Sequence, residues 1–153
     1  MRTFKNTLLG VVVLLTALCM NAQTGNKKTE NTSDEVVVLS KKDFLEKIFN
    51  YEKNKDRFVY EGTLPCIIDF YADWCAPCKK VEPILKELAK EYKGKIMFYK
   101  INTDNERELA ITFGINSIPT YFFISANGNL QYFSGALPRE SFIKVIEEFI
   151  LKQ

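Results

Sequence analysis

Apolar and polar positions follow three rhythms along this chain, and each rhythm marks an element. Residues 36–39 are wholly apolar between Glu35 and Ser40, which predicts a short strand. Ser40 is a good N-cap with Asp43 three residues on, and Phe44, Leu45, Ile48 and Phe49 recur at helical spacing. An amphipathic helix is therefore expected over residues 41–53. Residues 54–62 read as a loop with room for a short strand at 58–60. Residues 64–71 are a buried strand, leading into a tight turn and a helix whose face carries Val81, Ile84, Leu85, Leu88, Ala89 and Tyr92. Pro83 should kink that helix and Gly94 ends it. A strand over 96–101 and a short helix over 105–113 follow, the latter closed by Gly114. Ser117-Ile118-Pro119-Thr120 is a turn into a strand over 121–125. Asn127-Gly128 is a hairpin signal that pairs 130–134 antiparallel with that strand. Residues 138–151 form the last helix, with Phe142, Val145, Ile146, Phe149 and Ile150 on one face. The order β-α-β-α-β-α-β-β-α predicts one α/β domain, a mixed central sheet of about five strands with about four helices over both faces.

The first stretch does not share these rhythms. Arg2 and Lys5 precede an apolar run of 11 residues, Leu8 to Leu18, too short to cross a bilayer of ~30 Å. Asn21-Ala22-Gln23 follows and polar sequence begins at once. Residues 1–22 read as a secretory signal peptide cleaved after Ala22. Cys19 offers a rival route, a lipidated N-terminus, although Leu18 stands where that processing wants a small residue; an uncleaved membrane anchor is a third. Residues 23–34 are polar without periodicity and read as a linker.

Composition narrows the function. The 153 residues carry a formal charge of +2 with no basic block, which argues against nucleic acid as a partner. There is no histidine, so Ser–His and Cys–His catalysis and His-ligated metals are excluded together. Four cysteines are too few for a disulfide scaffold of this size.

Cys75 and Cys78 stand two residues apart at the start of a helix, where unpaired backbone N–H groups and the helix dipole favour a thiolate. A structural disulfide across so short a loop would constrain little of the unfolded chain. A zinc site needs about four ligands, and two inert buried thiols are the remaining alternative. In the redox reading, Cys75, the more exposed, attacks a substrate disulfide and Cys78 resolves the mixed disulfide. Pro77 suits a first helical turn, and Ala76-Pro77 puts no charge beside the thiolates, which favours a reductant over an oxidant. Trp74 either packs beside the disulfide and limits solvent access or is a surface aromatic. Asp69 interrupts the apolar strand of Ile67, Ile68 and Phe70. It alternates with Ile68 and Phe70, so it should lie on the opposite sheet face beneath the following helix, where burial raises its pKa. There it is placed to take the Cys78 proton as general base; the alternative is a solvent-facing aspartate at a strand edge. Lys100 on the neighbouring strand either approaches Asp69 and tunes it or is an exposed strand lysine. Cys66 reads as an inert buried thiol. The Ile118-Pro119 bond reads as an ordinary turn on spacing alone.

The segment CIIDFYADWCAPCKKVEPIL resembles the active-site strand and helix of thioredoxins, whose usual motif is WCGPCK. Trp74, Cys75, Pro77, Cys78 and Lys79 match it, and Ala76 replaces the glycine. Asp69, Pro83, Lys100 and Asp104 fall where the family keeps its buried acid, kinking proline, strand lysine and following acid. Ser117-Ile118-Pro119-Thr120 resembles the cis-proline loop, and Gly128 and Gly135 match glycines of the hairpin and the substrate groove. The likeness spans residues 36–151 and makes 35–153 a thioredoxin domain. It implies a cis Pro119 facing a Cys75–Cys78 redox disulfide, with Trp74, Ala76, Pro77, Ile118, Pro119 and Gly135 as substrate-binding residues. Cys75, Cys78, Asp69 and Lys100 would be the chemical set. No cofactor or metal is implied beyond the disulfide itself. Tyr71, where many members have a second tryptophan, the long 54–62 segment and the leader are departures. The leader makes it similar to exported thioredoxins of Gram-negative bacteria, a likeness that implies a periplasmic location. The implied partners are proteins with disulfides and, as electron donor, a membrane thiol–disulfide transporter; a monomer is expected. The rivals are a disulfide isomerase or oxidase, a cytochrome c maturation reductant, and a binding module using the same groove.

Overall fold

The structure is a computed structural model, and residues 36–152 of it are described. The expected leader and linker, residues 1–34, lie outside the described residues. Five strands form one sheet in the order β1-β3-β2-β4-β5: β1 Val37–Val38, β2 Cys66–Tyr71, β3 Met97–Asn102, β4 Thr120–Ile124 and β5 Leu130–Ser134. The first three run parallel, and β4 and β5 are antiparallel additions. Helices α1 Lys41–Lys47, α2 Ala76–Glu91, α3 Arg107–Thr112 and α4 Arg139–Val145 complete the fold.

Strand alternation divides the core into two layers. Ile68 and Phe70 of β2, Tyr99 and Ile101 of β3, and Phe122 and Ile124 of β4 face one side, where Phe44 of α1 and Leu109 of α3 cover them. Ile67, Phe98, Tyr121 and Phe123 face the other, beneath Leu85 and Leu88 of α2 and Phe142 of α4. β2 is central, paired with β3 on one edge and β4 on the other. β5 is the exposed edge along its whole length.

Several predicted boundaries shift for local reasons. The expected helix over 41–53 ends at Lys47. Its start is a full capping box: Asp43 N–H donates to Ser40 Oγ at 3.2 Å, and Ser40 N–H donates to Asp43 Oδ2 at 3.2 Å. Its end comes where the Ile48 carbonyl accepts the Glu61 N–H at 2.9 Å. Phe49 and Tyr51 then leave helical register to join Phe58 and Phe113 in an aromatic cluster. The possible strand at 58–60 is irregular chain, held by Phe58 and Tyr60 against the core. β2 starts at Cys66 rather than 64, because Pro65 has no N–H to give a ladder; its carbonyl still accepts Met97 N–H at 2.9 Å. The last helix changes pitch, with Ile146–Ile150 closing as a π-helical turn. α2 continues through Pro83 to Glu91.

Phe142 is fully buried and its ring meets Tyr121 and Phe123 at 4.9 and 5.9 Å. Phe142→Ala should therefore cost about 3–5 kcal/mol of unfolding free energy in urea titrations. Ser40→Ala, which removes the cap bond and the hydroxyl's bond to Asp43 Oδ2, should cost about 1 kcal/mol.

Candidate functional site

The site is built where β2 hands over to α2. Cys75 is the N-cap of α2, in extended backbone, and the Cys78 N–H donates to its Sγ at 3.2 Å. The two sulfurs are joined in a disulfide, with Cα atoms 5.3 Å apart. Helix N-termini leave N–H groups without partners, and here one is aimed at Cys75 Sγ. A thiolate at that atom gains this bond and the dipole of a 16-residue helix. Cys78 lies within the first turn and has no such placement. Pro77 fills a first-turn position, where a missing N–H breaks no bond.

Exposure does not rank the two cysteines as expected. Cys75 is 2 % exposed and Cys78 4 %. Both are closed in by Ala72, Tyr71 and Ile118. What separates them is the hydrogen bond to Cys75 Sγ and not access to water. Of the two readings of Trp74, the surface aromatic is the one observed. It is 70 % exposed, with its indole N–H donating to Asp104 Oδ2 at 2.9 Å. Asp104 is in turn set by Asn102, whose side-chain oxygen accepts the Asp104 N–H at 2.9 Å. Ala76 and Pro77 are exposed beside it.

The Ile118–Pro119 peptide is cis, as the family resemblance implied and as spacing alone did not. Ile118 packs against the disulfide, and β4 begins only at Thr120. The Gly135 N–H donates to the Pro119 carbonyl at 2.8 Å, tying the end of β5 to this loop. Gly135 has φ +96°, a conformation that favours glycine. Thr120 Oγ1 donates to the Ser117 carbonyl at 2.8 Å and closes the turn.

Asp69 lies on the α2 side of β2, with Lys100 and Tyr121 as its register partners on β3 and β4. It is 6 % exposed, and its Oδ1 is buried without a hydrogen-bond partner. Burial pushes its pKa up to about 7; the Lys100 charge works against this rise and the Glu82 charge adds to it. Asp69, Cys78, Lys100 and Glu82 line one cavity of about 130 Å³, with Tyr71, Ala72, Asp73 and Lys79. The Asp69 carboxyl and Cys78 thus line the same space. Lys100 does approach Asp69 as its register partner, and its Nζ lies 5.0 Å from the Tyr71 ring centroid. Cys66 is a free buried thiol on the opposite face, pushed up to about 12 mainly by burial. Among the described residues no cluster of His, Cys, Asp and Glu could hold a metal ion.

Glu82 and the pairing of Trp74 with Asp104 went unread in the sequence. Glu82 left a signal: it stands four residues after Cys78, an acid one turn along the same helix face.

The raised Asp69 pKa has a consequence for stability. The folded chain holds this proton up to about pH 7, whereas the unfolded chain releases it near the ordinary value of 3.8. Between those pH values the folded state binds more protons, so the Asp69 contribution is intact below about pH 4 and is lost as pH rises through 7. Asp69→Asn should be more stable than the parent at pH 8, by up to about 4 kcal/mol, and near parity at pH 4. Paired thermal melts at the two pH values measure this.

Comparison with known proteins follows this geometry. The thioredoxin family model matches residues 35–148. Thioredoxin from Borreliella burgdorferi is 39 % identical over 113 residues, covering 74 % of this chain and 96 % of that protein. A chloroplastic M-type thioredoxin from Zea mays is 36 % identical over 123 residues, covering 80 % and 67 %. Among solved structures, a mutant thioredoxin from Halobacterium salinarum superposes with a TM-score of 0.62 at 23 % identity, covering 78 % of this chain and 94 % of that one. Site and comparisons agree, and the chain belongs to the thioredoxin family, a thiol–disulfide oxidoreductase whose reacting group is its own cysteine pair.

Proposed function

We propose that this protein reduces disulfides of other proteins outside the cytosol and is itself re-reduced by a thiol–disulfide transporter in the membrane. The observation that carries the redox part is the Cys78 N–H directed at Cys75 Sγ, at the terminus of α2 and beside the cis-proline loop. In the dithiol form Cys75 is the thiolate. It attacks one sulfur of the substrate disulfide; that bond breaks, a substrate thiolate leaves, and a mixed disulfide forms. Cys78 then loses its proton to Asp69, across the cavity both line, and attacks Cys75 Sγ. The second substrate thiolate leaves, and the Cys75–Cys78 disulfide seen here is the product. Two electrons have passed from dithiol to substrate.

Substrate docking falls to the exposed surface around the pair. Trp74, Ala76, Pro77, Ile118, Pro119 and Gly135 border it, and the backbone before β4 is left for an extended segment of the substrate. Ala76-Pro77 adds no cation to stabilise the thiolate and so make the pair more oxidising, which supports a reductant. Export rests on the leader pattern of residues 1–22, and that location places the electron donor in the membrane. The chain works as a monomer in this reading.

Cys75→Ser should abolish turnover of a protein disulfide, while Cys78→Ser should accumulate the mixed disulfide, visible as a mass adduct that dithiothreitol removes. Full function of Cys75→Ser in cells would overturn the redox reading in favour of a binding module. The reduction potential settles direction: a value near about −270 mV, general to thioredoxins, fits a reductant, and one near about −180 mV, that of protein disulfide isomerase, does not. Fractionation of cells should release a protein lacking residues 1–22 with the periplasm; an intact leader in the cytosol would refute export.

A further inference from the structure

Asp69 shares its cavity with two charges that come from two different elements. Lys100 is its register partner on β3, and Glu82 reaches it from α2, one turn beyond Cys78. Lys100 Nζ lies 3.6 Å from Glu82 Oε1, while Asp69 Oδ1 is left without a partner. Glu82 also holds Lys86 at 2.8 Å on the outer side of the helix. The remaining groups around Asp69 are Cys78 and Lys79 of α2, Tyr71 and Asp73 at the end of β2, and the buried Tyr121 hydroxyl of β4.

We propose that Glu82 is a positioning residue for the proton transfer: by pairing with Lys100 it keeps that ammonium off Asp69, so that Asp69 is able to take and return the Cys78 proton. The reason is electrostatic balance. An ammonium bonded directly to a buried carboxylate fixes it in the charged form and makes it a poor base near neutrality. With Lys100 neutralised by Glu82, the cavity carries no net charge while Asp69 is protonated, and ionising Asp69 adds an uncompensated charge in a desolvated place. The Glu82 charge adds its own repulsion in the same direction. Glu82 is partly exposed, with 43 % of its side chain accessible, so a change to glutamine leaves the packed layers intact.

This inference rests on Asp69 as the proton acceptor, and the test separates the two. Asp69 protonation is followed by carboxyl carbon NMR across pH in the whole oxidised protein, for the parent, Glu82→Gln, Lys100→Met and the double variant. In Glu82→Gln the midpoint should fall by about half a pH unit or more, a roughly threefold change in the proton equilibrium. In Lys100→Met it should rise, and in that background Glu82→Gln should have less than about half its effect. An unmoved midpoint in Glu82→Gln overturns the proposal. An equal shift in both backgrounds also overturns it, since Glu82 would then act by its own charge and not by holding Lys100. The pH profile of mixed-disulfide resolution is measured beside it. If Asp69→Asn leaves that profile unchanged, the proton-acceptor reading fails, whatever the NMR midpoints show.

Discussion

Asp69 sits in the middle of β2, its backbone between β3 on one side and β4 on the other, and α2 lies above its side chain. A carboxyl held this way is largely desolvated and opens only onto the small cavity it shares with Cys78, Glu82 and Lys100. Its ionised form loses solvation that no hydrogen bond to Oδ1 replaces. The sheet therefore bears a standing penalty at neutral pH, one that a core of aliphatic residues would not. The same desolvation lifts the carboxyl into the range where proton exchange with a thiol is feasible. The structural cost and the raised pKa are here one fact, produced by one residue at the centre of the sheet.

The disulfide depends on a different device. Cys75 is an N-cap, and its sulfur stands where serine or aspartate would stand in an ordinary helix. A thiolate there receives from the Cys78 N–H what a capping oxygen would receive. The cis Ile118–Pro119 turn then brings a third element against the pair. Three segments distant in sequence meet at this point: the start of α2, the loop before β4 and the end of β5. Only the sheet order β1-β3-β2-β4-β5, with β4 beside β2, allows that meeting.

Much of this was legible in the chain. Element order, the hairpin at Asn127-Gly128 and the exact span of β5 followed from spacing and turn chemistry. The reactive pair and the misplaced acid were legible because each breaks a local rule. Boundaries were less legible where tertiary contacts override propensity, as where the aromatic cluster of Phe49, Tyr51, Phe58 and Phe113 ends α1 early. Cysteine exposure was misread because a position in the chain does not report what the Ile118 loop covers. The choice between the two readings of Trp74 was not legible because its partner, Asp104, lies 30 residues away.

By itself the sequence determined the alternation of elements, the two-layered core, the Cys75–Cys78 spacing at a helix start and the polar interruption of β2. These are local: they depend on periods of two and 3.6 and on the chemistry of single residues. Tertiary structure alone decided that Asp69 and Cys78 face one cavity, that Lys100 turns toward Glu82, and that Pro119 is cis beside the sulfurs. Those outcomes depend on strand register and on the docking of α2 across the sheet. A shift of one residue in strand register would send Asp69 or Lys100 to the opposite face. A shift of one residue in α2 would turn Cys78 or Glu82 away from the cavity, and no local pattern records either.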